Sequence, residues 1–237
     1  MKCRISQRSY AKDWLLYSEN MGQHLSLDET AFSNGDLYTI LTNAKGKKGA
    51  LITIIKGTKA DSVIKILHEM PLKIRKQVKE VTLDMAGNMG LIVKKSFSNT
   101  VQVIDRFHVQ KLTLDALQEI RIKHRWNALD QENDGIEKAY KLCQNLSWIF
   151  NNTKDKTSAL IRLAKWDEKV RQAQFKSFNT IARTMAIHYK NILNYFDNRS
   201  TNASAESFNA KIKAFRTQFR GVRNVDFFLY RLITIFA

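Results

Sequence analysis

The sequence predicts an α/β fold in which helices flank a mixed five-stranded sheet and a large all-helical insertion precedes the last helices. All of the strand-like patterns lie within the first 105 residues, and none occurs between residues 109 and 200. The chain of 237 residues holds one proline and nine glycines. This composition favours long regular elements, because both residue types disrupt helices.

Three strands joined by short turns are predicted first. "HLSLDETAF" alternates apolar and polar residues and ends near Asp28 and Glu29, "LYTILTN" follows the turn "SNGD", and "ALITIIKG" follows the basic turn "AKGKKG". Runs of this kind, bounded by turn residues, are typical of strands. The short connections predict an antiparallel meander.

Two further strands are predicted, each after a helix. The apolar residues of "TKADSVIKILHEM" share one helical face. After it come "VKEVTLDMAGN", a strand ending in Asp84, the short helix "MGLIVKKSF", and "TVQVIDRFHV", a strand ending at Asp105. Because a helical crossover returns the chain in its original direction, these last two strands are expected to pair in parallel.

Four segments follow from this order. They are a lead-in segment over 1–23, the first part of the core over 24–108, the all-helical insertion over 109–200, and the C-terminal helices that complete the core over 201–237. The insertion holds three of the four tryptophans, which could stack on an unpaired base but more commonly pack a helical core. The last segment starts with the helix "TNASAESFNAKIKAFR" and ends with the apolar helix "VDFFLYRLITIF".

The charge of the chain predicts a polyanionic partner. Lys and Arg number 39 against 22 Asp and Glu, a formal net charge of +17 that is spread along the chain. Nucleic acid is favoured over a membrane, because no amphipathic segment stands apart from the fold and no apolar run approaches the roughly 20 residues that span a bilayer. Two distant cysteines, Cys3 and Cys143, are typical of reduced thiols in the cytoplasm.

Carboxylates follow two strands that this order allows to be neighbours. Asp28 ends the first predicted strand and Asp84 ends the fourth. Two carboxylates at one sheet edge repel each other unless a divalent cation lies between them, and their oxygens suit Mg²⁺ or Mn²⁺ rather than zinc. Glu206, in the first turn of a later helix, is the candidate third ligand of a two-metal site for phosphoryl displacement.

Each of these residues also has a simpler interpretation. An Asp at a strand end commonly forms a turn. A Glu in the first turn of a helix commonly complements the helix dipole.

Four runs of the sequence together resemble a known family. "LDETAFSNGDLYTIL", "VTLDMAGNMG", "VIDRFHVQKL" and "NASAESFNAKIKAFRTQFRGVRN" look like the successive blocks of a DDE transposase, and are most similar to the insertion-sequence group called ISL-three. The resemblance covers roughly residues 24–236. Its most specific parts are "DRFHVQKL" and the pattern N-x-x-x-E-S-x-N-x-x-I-K.

This resemblance implies a ribonuclease H-like catalytic core with Asp28, Asp84 and Glu206 as its triad, holding two Mg²⁺ or Mn²⁺ ions. The implied activity is cleavage at transposon ends followed by joining of the 3′-hydroxyl to target DNA. The implied partners are double-stranded DNA, both transposon ends and target, and a second copy of the chain, since two ends are processed together. A cytoplasmic, nucleoid-associated location follows, with no membrane.

Asp105 and His108 form a D-x-x-H pair that resembles a motif of transposases with a helical insertion. The pair is expected either to shape the site or contact DNA, or to fix the start of the next helix by hydrogen bonding. Asp105 also competes with Asp84 as the second metal ligand. We favour Asp84, because the fourth strand rather than the fifth neighbours the first in such a core.

The residues around Glu206 are predicted to shape the site or meet DNA phosphates. They are Asn202, Asn209, Lys211, Lys213 and Arg216. Asn209 lies three residues after the glutamate and so shares its helical face. A solvated basic face is the alternative interpretation of the lysines and arginine.

One departure from the family pattern affects the expected partners. Only 23 residues with a single Cys precede the first predicted strand, whereas family members usually carry a zinc-binding and helix-turn-helix region there. We expect that region on a separate chain, or the sequence to be a fragment or decayed copy. Two other functions stay open: a structure-selective ribonuclease H-like nuclease, and a non-catalytic, transposase-derived basic DNA-binding protein.

Overall fold

The computed structural model describes residues 14–31, 36–46, 51–126, 134–218, 228 and 231. The chain divides into two compact units, one of Met1–Gln102 with Thr201–Ala237 and the other of Val103–Ser200. The turn "SNGD", part of the turn "AKGKKG" and most of the final predicted helix lie outside the described residues.

A six-stranded sheet forms the centre of the first unit, with the strand order β1-β4-β3-β2-β5-β6. The strands are β1 (Trp14–Leu16), β2 (His24–Ala31), β3 (Leu37–Asn43), β4 (Leu51–Lys56), β5 (Glu80–Leu83) and β6 (Val101–Ile104). Strands β1 to β4 pair antiparallel, and β2 pairs with β5 in parallel. The sheet is therefore mixed, as predicted, and the first crossover returns the chain in parallel to the strand that carries Asp28.

The sequence did not predict β1, which lies inside the lead-in segment and adds a sixth strand at the sheet edge. Its three residues pair with Thr53–Ile55 of β4. A strand this short has no room for a recognisable alternation, so only its pairing partner identifies it. β2 also runs on to Ala31, past the predicted end at Asp28 and Glu29.

Helices α1 (Ala60–Leu67), α2 (Leu72–Arg75), α3 (Gly87–Ser96) and α9 (Ala203–Gln218) belong to the first unit. The short α2 occupies the basic stretch after Pro71, as the preference of proline for helix starts allows. Helix α9 packs on β2 and β3. Its apolar face, Phe208, Ile212 and Phe215, joins a buried cluster with Tyr38, Ile40, Leu51 and Ile54, so the first and last parts of the chain share one core.

The described part of the second unit that follows β6 is helical. Its helices are α4 (Arg106–Trp126), α5 (Asp134–Asn152), α6 (Lys156–Ala173), α7 (Lys176–Leu193) and α8 (Tyr195–Asn198). Helix α4 begins three residues before the predicted start of the insertion. The carboxylate of Asp155 caps α6 by accepting from the Ser158 N–H at 2.8 Å, which satisfies one of the free amide groups of the first turn.

Candidate active site

Asp28 and Asp84 belong to neighbouring strands, since Asp28 lies within β2 and Asp84 directly follows β5. The parallel pairing of β2 with β5 sets Ser26 opposite Thr82, and each aspartate comes two residues later in its chain segment. Because paired parallel strands advance together, this register brings the two aspartates to a similar level along the sheet. The predicted adjacency of these two strands is confirmed.

Both carboxylates accept hydrogen bonds from fixed donors. Asp28 is 8% exposed; its Oδ1 accepts from the backbone N–H of Glu29 and its Oδ2 from Asn209 Nδ2, each at 2.8 Å. Asp84 Oδ1 accepts from the backbone N–H of Ala86 at 2.5 Å, just before α3 begins. These bonds hold the two carboxylates in defined orientations.

A third carboxylate, Glu29, lies within electrostatic reach of both aspartates. Burial raises the pKa of Glu29 above its ordinary value of 4.5, and the negative charges of Asp84 and Asp28 raise it further. From its sequence, Glu29 was predicted only to end a strand. Its position directly after Asp28 was the available signal for a role at the site.

Helix α9 brings Glu206 to the same side of the sheet as Asp28. The half-buried Glu206 lies in the first turn of α9, and its N–H donates to the carbonyl of Asn202 at 3.0 Å. Asn209, one turn later on the same helical side, bonds Asp28 directly. No group of three or more His, Cys, Asp or Glu among the described residues is placed to hold a metal ion, so this helix does not complete a preformed three-carboxylate centre.

The other predicted residues of α9 separate into buried and exposed positions. Asn202 is fully buried before the first turn, and its side-chain amide makes no hydrogen bond among the described atoms. Lys211, Lys213 and Arg216 are exposed, on the parts of the helix that its apolar face leaves free. Their exposure is compatible with DNA contact and equally with a solvated basic face.

Asp105 and His108 pair at the start of the second unit. Asp105 is 1% exposed and follows β6 directly, and its Oδ2 lies 3.3 Å from Nδ1 of His108 in the first turn of α4. The two side chains are thus in contact across the strand-to-helix junction. In the sheet, β6 lies beyond β5 and does not pair with β2, which is the arrangement on which we based the choice of Asp84 over Asp105.

The chain matches a family model described as a transposase over residues 25–137 and 123–232. It belongs to the ISL-three family of DDE transposases. A comparison of this transposase with curated proteins gives no significant match. Among its described helices, none has both the length and the hydrophobicity that crossing a membrane requires.

The carboxylates of this transposase on β2 and after β5 have the chemistry that a hard divalent cation needs. Asp28 and Asp84 supply only carboxylate oxygens, which are the ligands that Mg²⁺ and Mn²⁺ prefer. The negative charges of both also raise the pKa of Glu29, and a bound cation relieves repulsion of this kind. The chemistry of the two aspartates therefore fits such a cation.

Proposed function

We propose that this transposase cleaves the ends of a transposon and joins the freed 3′-hydroxyl to target DNA by in-line phosphoryl transfer. Asp28, Asp84 and Glu206 would hold two Mg²⁺ or Mn²⁺ ions. Such ions, when bound, activate the attacking oxygen and stabilise the charge of the transition state. The observation that supports the proposal is the parallel pairing of β2 with β5, the strand that contains Asp28 and the strand that Asp84 follows.

The contacts of α9 support a role for Glu206 as the third ligand. Asn209 bonds Asp28 at 2.8 Å, and Ser204 Oγ donates to the carbonyl of Asn43 at 3.1 Å. These two bonds tie the first turns of α9 to β2 and to the end of β3. Glu206 lies between them in sequence and is half-buried, on a helix that is held against the strand of Asp28, which supports its assignment as the third ligand.

The surrounding residues would bind and position the DNA. We assign Lys211, Lys213 and Arg216 to phosphate contacts, because they are exposed cations on the helix that carries Glu206. Asn202 would set the start of that helix, and Asp105 with His108 would shape the site or contact DNA. The expected assembly on DNA is a homodimer or larger, associated with the nucleoid.

The test is a cleavage assay with the full chain, Mg²⁺ and a duplex that carries the ends of its own element. The variants Asp28→Asn, Asp84→Asn and Glu206→Gln each keep side-chain size and remove one ionised ligand. We expect each to lower the nicking and joining rates by about 10² or more, as loss of a preorganised charge contact does. Asp105→Asn in the same assay tests the competing assignment of the second ligand.

Asp36→Asn is the matched control, since Asp36 is a surface carboxylate paired with Lys56 at 3.2 Å and should leave the rate unchanged. Nicking that persists in Asp84→Asn or Glu206→Gln would refute the proposed mechanism. If Asp105→Asn abolishes cleavage and Asp84→Asn does not, the second ligand is Asp105.

A non-catalytic DNA-binding role is the second candidate. It is favoured by one observation, the lack of a preformed group of three metal-binding side chains among the described residues. In that case the chain would bind the same duplex but cut it neither with Mg²⁺ nor with Mn²⁺. A structure-selective nuclease would instead cut branched DNA without joining it.

A further inference from the structure

Two tryptophans of the helical unit have opposite environments. Trp166 of α6 is 1% exposed, and its indole N–H donates to the carbonyl of Leu142 at 2.9 Å. Trp148 of α5 is 49% exposed, and no hydrogen bond to its indole N–H is present among the described residues. Trp166 is thus a core residue, whereas Trp148 contributes little to the core for a side chain of its size.

Arg162 of α6 lies over the ring of Trp148. Its guanidinium carbon is 4.8 Å from the ring centroid, within the range of a cation–π contact. Nη1 of Arg162 also donates to Oγ1 of the buried Thr153 at 2.9 Å, which holds the guanidinium in place. The arginine covers part of the indole, and half of the residue remains open to solvent.

Positive charge continues from Arg162 along α6. Lys165 and Lys169 follow it at spacings of three and seven residues, which places all three on one side of the helix. Both lysines are exposed, and neither forms an ion pair within the part of the chain that the structure describes. Arg162 also lowers the pKa of Asp155, although the bond that Asp155 accepts from the Ser158 N–H lowers it more.

We propose that Trp148 and Arg162 form a stacking site for an unpaired base of single-stranded DNA, with Lys165 and Lys169 binding the adjoining phosphates. Base faces are covered inside a duplex and are free only in unpaired nucleotides, and they stack on aromatic rings and guanidinium planes without regard to sequence. The lysines supply the complementary charge for the strand. This site is separate from the proposed cleavage chemistry, because stacking needs no metal ion.

The experiment measures binding of the full chain, in EDTA, to a fluorescein-labelled oligodeoxythymidine of about 10 nucleotides and to a duplex of the same length. The variants are Trp148→Ala, Trp148→Phe and Arg162→Lys. Tyr140→Ala is the matched control, since Tyr140 is an aromatic residue of the same helix, two turns earlier, with 51% exposure.

We expect Trp148→Ala to weaken single-strand binding by about tenfold and to leave duplex binding unchanged. Trp148→Phe, which keeps an aromatic ring, should lose less single-strand affinity than Trp148→Ala. The loss in Arg162→Lys should lie between the losses in these two variants. Tyr140→Ala should bind like the parent. Circular dichroism and thermal unfolding of Trp148→Phe and Trp148→Ala establish that the helices are retained.

Three outcomes would overturn the site. The first is equal single-strand affinity in Trp148→Ala, Tyr140→Ala and the parent. The second is an equal loss of single-strand and duplex binding in Trp148→Ala. The third is a change of oligomeric state on gel filtration with single-strand affinity retained, which would assign this surface to contact between copies of the chain. Because no cleavage is measured, failure here is distinct from failure of the proposed metal site.

Discussion

Asn209 donates a hydrogen bond to Asp28 across 181 positions of sequence, with 2.8 Å between Nδ2 and Oδ2. The bond joins α9 to β2 at the carboxylate that we propose as a metal ligand. A neutral amide at this position orients the aspartate without competing with it for a cation. Outer partners of this kind commonly tune metal sites as strongly as some of the ligands do.

Replacing Asn209 should therefore slow DNA cleavage without unfolding the chain. Asn209→Ala is expected to lower the rate by about 10- to 100-fold. Asn209→Asp should lower the cleavage rate further than Asn209→Ala does, because it places a second negative charge against Asp28. Cleavage rates at several Mn²⁺ concentrations would separate a loss of metal affinity from a loss of turnover. Thr217→Ala, an exposed change in the same helix, is the control, and parent-like kinetics in both Asn209 variants would exclude this role.

The stability of the first unit should depend on pH through Glu29. Its pKa is raised in the folded chain by burial and by Asp84 and Asp28, so ionising it costs stability as pH rises above the ordinary value of 4.5. In EDTA, Glu29→Gln should be more stable than the parent at pH 7 and equal to it below that ordinary value. Thermal unfolding at several pH values measures the difference. A constant difference across pH would contradict the assignment, and Glu119→Gln, an exposed carboxylate of α4, should show no such trend.

Thr42 and Thr39 of β3 provide a matched pair for the cost of a buried hydroxyl. Both are buried, but Thr39 Oγ1 donates to the carbonyl of Gly57 at 2.8 Å, whereas Thr42 Oγ1 has no partner among the described atoms. Thr42→Val should therefore keep or raise the unfolding free energy by up to about 1 kcal/mol, and Thr39→Val should lower it by about 1 kcal/mol. Denaturant unfolding measures both. A loss in Thr42→Val as large as in Thr39→Val would show that its hydroxyl is bonded.

Among the arginines of the helical unit, Arg199 should be the one whose replacement lowers folding stability the most. Its guanidinium donates to the carbonyl of Phe150 at 2.9 Å and to that of Thr153, and it lies 5.8 Å from the ring centroid of Tyr195. Its backbone is left-handed, with φ of 52°, a conformation that L-amino acids other than glycine rarely adopt. Arg199→Ala should lower stability by about 2–3 kcal/mol, because bonds from a charged donor are lost.

Hydrogen exchange at the end of α5 gives a local measure of that loss, and faster exchange at residues 150–153 is the expected result. Arg183→Ala is the control, since Arg183 is exposed on α7 and its removal should change stability by less than about 0.5 kcal/mol. Equal effects of the two variants would show that the bonds of Arg199 are not stabilising.

Much of the sheet could be predicted because its strands are buried and its connections are short. The bounds of β3 follow "LYTILTN" residue for residue, and the helical crossover before β5 was enough to place β5 beside β2. The three-residue β1 could not be predicted, because its identity depends on pairing with β4 rather than on its own pattern.

The site was harder to predict than the sheet, because its contacts join elements that are distant in sequence. The spacing of Asn209 from Glu206 gave their common face, but the bond to Asp28 depends on how α9 lies on β2. In the same way, nothing in the sequence distinguishes the environment of Trp148 from that of Trp166. Only the packing of α5 on α6 buries one indole and leaves the other in solvent.

The hydrogen bonds that join α9 to the sheet affect the order in which the proposed site forms during protein synthesis. Asp28 and Asp84 leave the ribosome early, but Ser204 and Asn209, which bond the sheet over separations of 161 and 181 positions, are made only after the whole helical unit. A nascent chain therefore carries two of the proposed ligands without the third. If the three carboxylates act together as we propose, cutting activity would begin only after translation has passed α9.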